Sequence, residues 1–291
     1  MTQSLSPDVL ATLQQWVGKS EVLEDTITAA PLRGLSATLD RDDPQPGVQT
    51  PVAPLAHWLY FLPQHLQREI GPDGHAKRGG FLPPVPLPRR MWAGGRLAWN
   101  PGNPLRLGDA VRRVSTIQSV IHKAGRTGDL VFVLVKHLVL NGQGLALSEE
   151  HDIVYRSAAL PTDPVPAPMP AETGAPWQRD IVPDEVLLFR YSALTFNGHR
   201  IHYDRQYVTQ VEGYPGLIVH GPLIATLLVD LVRRNRPDAF VKSFEFKAVR
   251  PTFDLHPFRI NGAPSEDGKT VRLWANDHEG WLTMQATVEL T

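Results

Sequence analysis

Between Tyr191 and Asp204 the chain sets an amide (Asn197), two histidines (His199 and His202), an arginine (Arg200) and an aspartate (Asp204) within eight positions. Imidazole titrates near neutral pH and passes a proton in either direction, while a neighbouring amide or carboxylate can hold a water beside it. Such a pair could add water across a polarised double bond. Plainer roles compete for individual members. His199 reads as a cap or a satisfied polar group, Asp204 as the N-cap of a helix beginning Arg205-Gln206-Tyr207, and Arg200 as either a surface partner or a phosphate clamp. His202 is the member favoured for chemistry. Spacing of His199, His202 and Asp204 would also suit a metal ion.

A second element, Val219-His220-Gly221-Pro222, opens a run that is apolar nearly all round, Leu223 to Val232. A helix beginning there leaves its first backbone N–H groups unpaired, and glycine lets a ligand approach them closely. A thioester carbonyl placed at that end would be stabilised as it gains enolate character, typically by about 3 to 4 kcal/mol per well-placed donor. The bland reading is plain helix entry with Pro222 in the first turn. A metal site would leave this glycine-led start without a role, so no metal is expected.

Other chemistries are poorly supported. The sequence carries no P-loop, no G-x-G-x-x-G fingerprint and no G-x-S-x-G elbow. With no cysteine, disulfides, thiolate catalysis and cysteine-bound metals are excluded. A net charge of -1 offers no global field for nucleic acid or an anionic membrane. No secretory leader and no uninterrupted apolar stretch of the roughly 18 to 20 residues needed to span a bilayer is seen, and a cytoplasmic location is expected.

The elements that must position these residues fall into two halves. At 291 residues, two domains are expected, and the 27 prolines mark where regular structure stops. Their densest run suggests an extended linker over 161–183, between an N-terminal domain, 1–160, and a C-terminal domain, 184–291. In the first half, Asp129 to Leu140 and Leu145 to Tyr155 predict a long hairpin turning at Asn141-Gly142. Leu55 to Leu62, following Pro51 and Pro54, reads as a buried helix. In the second half, strands are predicted at Phe240–Lys247, Phe258–Ile260, Val271–Trp274 and Trp281–Leu290 after the apolar helix. One buried helix against an antiparallel sheet, occurring twice, is an α+β pattern with a degenerate repeat. One active site is expected, built mainly by the second half.

These residues resemble the MaoC-like, (R)-specific enoyl-CoA hydratase family of hot-dog proteins. Asn197 and His202 have the spacing of that family's acid and histidine, and His220-Gly221 matches its glycine entry to the central helix. Phe189 to Asn197, His202-Tyr203-Asp204 and Arg90 to Leu97 are similar to the branch of mitochondrial-type hydroxyacyl-thioester dehydratases and of mesaconyl-C4-CoA and itaconyl-CoA hydratases. The resemblance implies a double hot-dog, two antiparallel sheets each wrapped around a helix, with an acyl-CoA substrate lying between them. It implies catalytic roles for Asn197, His202 and Gly221. His199 and His220 would lie at the substrate, and Arg96, Arg200 and Arg250 would meet a distal carboxylate or the CoA phosphates. CoA would enter as part of the substrate, with no separate cofactor. A homodimer remains compatible with a fused pair. Asn197 departs from the family's usual aspartate: an amide orients water but cannot take its proton, which leaves His202 as the prime acid/base. Two rival activities stand beside hydration: thioester hydrolysis on the same scaffold, and acyl-thioester binding without catalysis.

Overall fold

The computed structural model describes residues 5–125, 128–157 and 167–291. In chain order these form α1 (Pro7–Gln14), β1 (Ser20–Thr26), α2 (Ala29–Thr38), β2 (Arg89–Trp99), β3 (Ala110–Gly125), β4 (Gly128–Asn141), β5 (Gly144–Arg156), β6 (Trp177–Ile181), α3 (Glu185–Leu194), α4 (Arg205–Gln210), α5 (Gly221–Asn235), β7 (Val241–Ala248), β8 (Phe258–Pro264), β9 (Thr270–Asn276) and β10 (Leu282–Leu290). The strands make one ten-stranded sheet, ordered β1-β3-β4-β5-β2-β7-β10-β9-β8-β6. Five strands come from each half, and the halves join edge to edge where β2 pairs antiparallel with β7, from Gly94 opposite Lys247 to Ala98 opposite Ser243. Edge joining leaves fewer open strand edges than two separate sheets would.

In the C-terminal half the expected elements are present. Leu223 through Val232 of α5 are all buried, which is what an apolar surface on every side of a helix requires. The helix lies against β8, β9 and β10. The β4–β5 hairpin also stands, although its two-residue turn is Gly142-Gln143, one position later than expected, because Asn141 pairs with Gly144.

Two expectations are corrected. Among the described residues the first half has no long central helix: Leu55 to Leu62 is buried in part but forms only a 3-10 turn, Ala56–Leu59, entered through Leu55 in the left-handed region. The run is too short, and Pro63 forces Leu62 away from helical angles. α2 packs beside this turn. The Pro-rich stretch 161–183 is likewise no simple linker. Its first six residues lie outside the described part, but Pro170 bridges to Trp281 and Trp177–Ile181 pairs with β8 as the edge strand of the C-terminal half.

The C-terminal end of α5 anchors the site helix to both halves. Asp230, 1% exposed, accepts from Arg41 of the N-terminal half at 2.7 Å, from Arg179 of β6 at 3.2 Å and from Arg234 at 2.7 Å. Arg234 also donates to the carbonyls of Leu39 and Asp40. Asp230→Ala is expected to cost about 2 kcal/mol, below the roughly 3 to 5 usual for breaking a buried pair because the arginines reach solvent. Urea unfolding checks this; an unchanged midpoint would contradict it.

Candidate active site

After α3 the chain turns sharply. Phe196 takes a left-handed φ of 49°, and the Asn197 amide returns to the Ser192 carbonyl at 2.8 Å. Asn197 is half-buried, and its Oδ1 accepts the His199 amide at 3.0 Å. Its oxygen is therefore held by its own loop, with the Nδ2 group left to donate.

A short 3-10 turn, Arg200–His202, then carries His202 inward to 8% exposure. Its Nδ1 lies 2.7 Å from the Ile218 carbonyl oxygen. A carbonyl only accepts, so Nδ1 carries the proton and Nε2 presents a bare lone pair. Burial pushes the imidazolium down to a pKa of about 4, against the Ile218 hydrogen bond that favours it and with the His75 charge adding to the fall. At neutral pH His202 is thus a neutral base of fixed tautomer.

The His202 ring stacks on His220, with centroids 3.7 Å apart and planes 17° from parallel. His220 is the residue that caps α5, so this contact sets His202 beside the helix entry. His220 shares a 2.8 Å hydrogen bond with Ser192 through Nε2, while its buried Nδ1 has no partner among the described residues. Burial holds its pKa well below the usual value, with His202 and His199 adding to the effect. Next in the chain is Gly221, the first residue of α5, whose N–H has no intrahelical acceptor. A Cβ built on Gly221 would meet nothing closer than Met284 Cε at 4.0 Å. The fold itself leaves room for a side chain there.

His199 stands edge-on to His202, centroids 5.4 Å apart, and is pushed down to about 2 by burial and then by the neighbouring His75 and His202. Asp204 does cap α4, accepting the Tyr207 amide at 2.9 Å. Arg200 grips Asp204 at 2.6 Å, lies over the Tyr207 ring at 4.1 Å and donates to the Pro72 carbonyl. It is a brace for this loop, which leaves it little to offer a phosphate. Arg96 is committed as well: it pairs with Glu150 at 2.7 Å and bidentately with Asp152 at 2.8 and 2.9 Å. Neither keeps the free guanidinium that a substrate clamp needs. Arg250 is less engaged, 3.5 Å from Asp277 with a buried Nη1 lacking a hydrogen bond.

Three further residues near the histidines were not singled out for this site by the sequence pattern. Asp73 and His75 lie on a loop of the N-terminal half that docks on the His199 turn, and Arg90 on β2 lies near enough to depress the His199 pKa. Donor atoms of Asp73, His75 and His199 fall within 4.8 Å of one another. The two imidazoles, however, pack ring against ring with centroids 3.9 Å apart, which fits stacking better than two nitrogens converging on one ion.

A second buried polar cluster lies in the N-terminal half. Glu149, 3% exposed, accepts from His57 at 3.0 Å, Trp58 at 2.8 Å and His151 at 2.6 Å. Both of its oxygens are engaged, although the buried Nδ1 of His57 has no partner among the described residues.

With this geometry in hand, residues 55–254 match the family model described as hydroxyacyl-thioester dehydratase type 2. The chain belongs to that family. It is a hydro-lyase. A mesaconyl-C(4)-CoA hydratase of Chloroflexus aurantiacus is 46% identical over 278 residues, spanning 94% of this chain and 96% of the relative. Among solved structures, a MaoC-like dehydratase of Phytophthora capsici superposes with a TM-score of 0.70 at 12% identity, covering 97% of each chain. A Mycobacterium tuberculosis protein described as a double hot-dog superposes at 0.56 with 12% identity, over 94% of this chain and 96% of that one. The fold is therefore the α+β double hot-dog, in which the family's long helix is α5 and the N-terminal counterpart is reduced.

Proposed function

We propose that this enzyme reversibly adds water to the double bond of a short dicarboxylic enoyl-CoA, with mesaconyl-CoA or itaconyl-CoA as the favoured type. The observation that carries the reading is His202, a buried imidazole with a bare Nε2, stacked on the residue that opens α5. Water held by His202 and the Asn197 amide would attack the β-carbon while its proton passes to Nε2. In mesaconyl-CoA, whose double bond is conjugated with the thioester, its electrons would move toward the thioester oxygen, which the Gly221 N–H would meet. The proton on His202 would then go to the α-carbon, giving syn addition and a neutral base again. Arg90, which acts on His199, and Arg250, which meets Asp277 only at 3.5 Å, are the candidate cations for the distal carboxylate. The relative's substrate supports the dicarboxylic preference.

An acyl-CoA panel tests the reading. Mesaconyl-CoA and itaconyl-CoA should be hydrated faster than crotonyl-CoA, read as loss of enoyl absorbance, without release of free thiol. Thiol release from saturated acyl-CoA at a comparable rate would favour hydrolysis, and binding without turnover of any enoyl-CoA would favour the non-catalytic rival.

A further inference from the structure

We propose that Asp73, acting through His75, is the positioning acid of this active site, supplied by the N-terminal half in place of the carboxylate that Asn197 does not provide. The inference rests on the hydratase reading of His202.

Both Asp73 oxygens are aimed by one neighbour: Oδ1 accepts the His75 amide and Oδ2 accepts His75 Nδ1–H, each at 3.0 Å. The His75 ring packs on His199 at 3.9 Å, tilted by 39°, and His199 stands against His202. Four imidazoles thus form a row, His75, His199, His202 and His220, with the carboxylate at its outer end. The loop that brings Asp73 here is seated by backbone contacts. The Arg200 N–H donates to the Asp73 carbonyl at 2.9 Å, and the Arg200 guanidinium reaches the Pro72 carbonyl at 3.0 Å. Gly74 sits so close to Gly198 that a Cβ would fall 1.8 Å from the Gly198 oxygen, and only glycine permits that approach. Asp73 is therefore tied by one hydrogen bond to the turn that carries His202.

The chemistry calls for such a charge. When water bonds to the β-carbon and its proton moves to His202, a cation forms in a dry site until the proton leaves for the α-carbon. The amide of Asn197 cannot offset that cation. Charged and titratable groups around the row are Arg90, Arg200, Asp204, Tyr207 and Glu212, with Tyr191 edge-on to His220 at 5.1 Å, besides the four histidines. Asp204 is matched by Arg200, and Glu212 accepts from the Tyr207 hydroxyl at 3.0 Å with Arg89 at 4.0 Å. The Asp73 carboxylate is hydrogen-bonded by His75 alone among the described residues, so its charge acts on the row through that imidazole. Its carboxyl is held below the usual range: burial opposes this, but the hydrogen bonds and charge of His75 prevail.

The test uses the full chain. Asp73→Asn is expected to lower kcat for mesaconyl-CoA hydration about tenfold with KM within about twofold, a kcat-weighted loss. Removing the negative charge also makes the imidazolium harder to form, so the acid limb of kcat/KM should move to lower pH by about one unit. Asp73→Glu should recover part of both. His75→Gln, whose amide can still bond Asp73 and keep the loop docked, removes the charge that depresses His202 and should move the limb the opposite way, to higher pH. Wild-type kcat and pH profile in Asp73→Asn would overturn the proposal. So would lost activity with an unmoved limb in both Asp73→Asn and His75→Gln, which would mark the loop as scaffold only. Should Asp73→Asn fail to fold, the His75→Gln profile decides alone. Full activity in His202→Ala would instead overturn the hydratase site itself, whatever Asp73 does.

Discussion

Replacing His202 by alanine is expected to lower kcat/KM for enoyl-CoA hydration by about 10³, within the range of roughly 10² to 10⁴ typical of a general acid/base. The Ile218 carbonyl locks its proton on Nδ1, and no neighbour in the row can take over the bare Nε2 without moving. The effect should fall on kcat, since the proton transfer belongs to the transition state, while acyl-CoA still binds. The wild-type pH profile supplies a second measure. With the folded pKa near 4, kcat/KM should stay level through neutral pH and fall only as His202 takes a proton below about 5. Stability follows the same group. In the unfolded chain His202 protonates near 6.5, in the folded chain only near 4, so across that window the unfolded state binds more protons. Stability from this site is full above pH 6.5 and declines as pH falls toward 4. Removing the imidazole should make unfolding less acid-sensitive over those values. Hydration rates within twofold of wild type in the variant would exclude His202 as the base.

How much of this was legible beforehand depends on how local each signal is. Leu223 to Val232 is apolar nearly all round, so its burial could be read directly, and the β4–β5 hairpin announces itself by β-branched runs around Asn141-Gly142. Strand β3 gives no such signal: Arg112, Arg113, Ser115, Thr116 and Gln118 interrupt its apolar positions, and only pairing with β1 and β4 makes it a strand. Edge strand β6 is hidden among prolines that suggest a linker. Leu55 to Leu62 misled because an apolar run of eight cannot by itself distinguish a helix from a buried irregular turn. The site divides in the same way. His202, His220 and Gly221 lie within twenty positions and carry their own spacing, whereas Asp73 and His75 reach them from over a hundred residues upstream. Their loop holds Gly71, Pro72 and Gly74 and has no periodicity, so only the folded chain reveals the contact. The arginines show the opposite failure. Planar guanidinium chemistry and the resemblance suggested Arg96 and Arg200 for the substrate, but cross-strand register gives Arg96 to Glu150 and Asp152, and the i,i+4 spacing gives Arg200 to Asp204.

The helix entry provides the sharpest separation of folding from chemistry. Gly221 does not take a left-handed φ, and a methyl group there would touch no protein atom nearer than 4.0 Å, so nothing in the fold requires glycine at the start of α5. In a helix, alanine is preferred over glycine by up to about 1 kcal/mol. Gly221→Ala should therefore fold with an unchanged or slightly raised melting temperature. Its activity is expected to fall by about 10² to 10³, the scale of losing one oxyanion donor, because a methyl group beside the free N–H keeps the thioester oxygen from reaching it. The loss should appear in kcat more than in KM, since that contact strengthens only as enolate charge develops. The pH profile should be unmoved, which distinguishes this variant from Asp73→Asn. A Gly221→Ala enzyme that is both stable and fully active would show that the thioester oxygen is held elsewhere, leaving His220 Nδ1, the buried nitrogen without a partner among the described residues, as the next donor to examine.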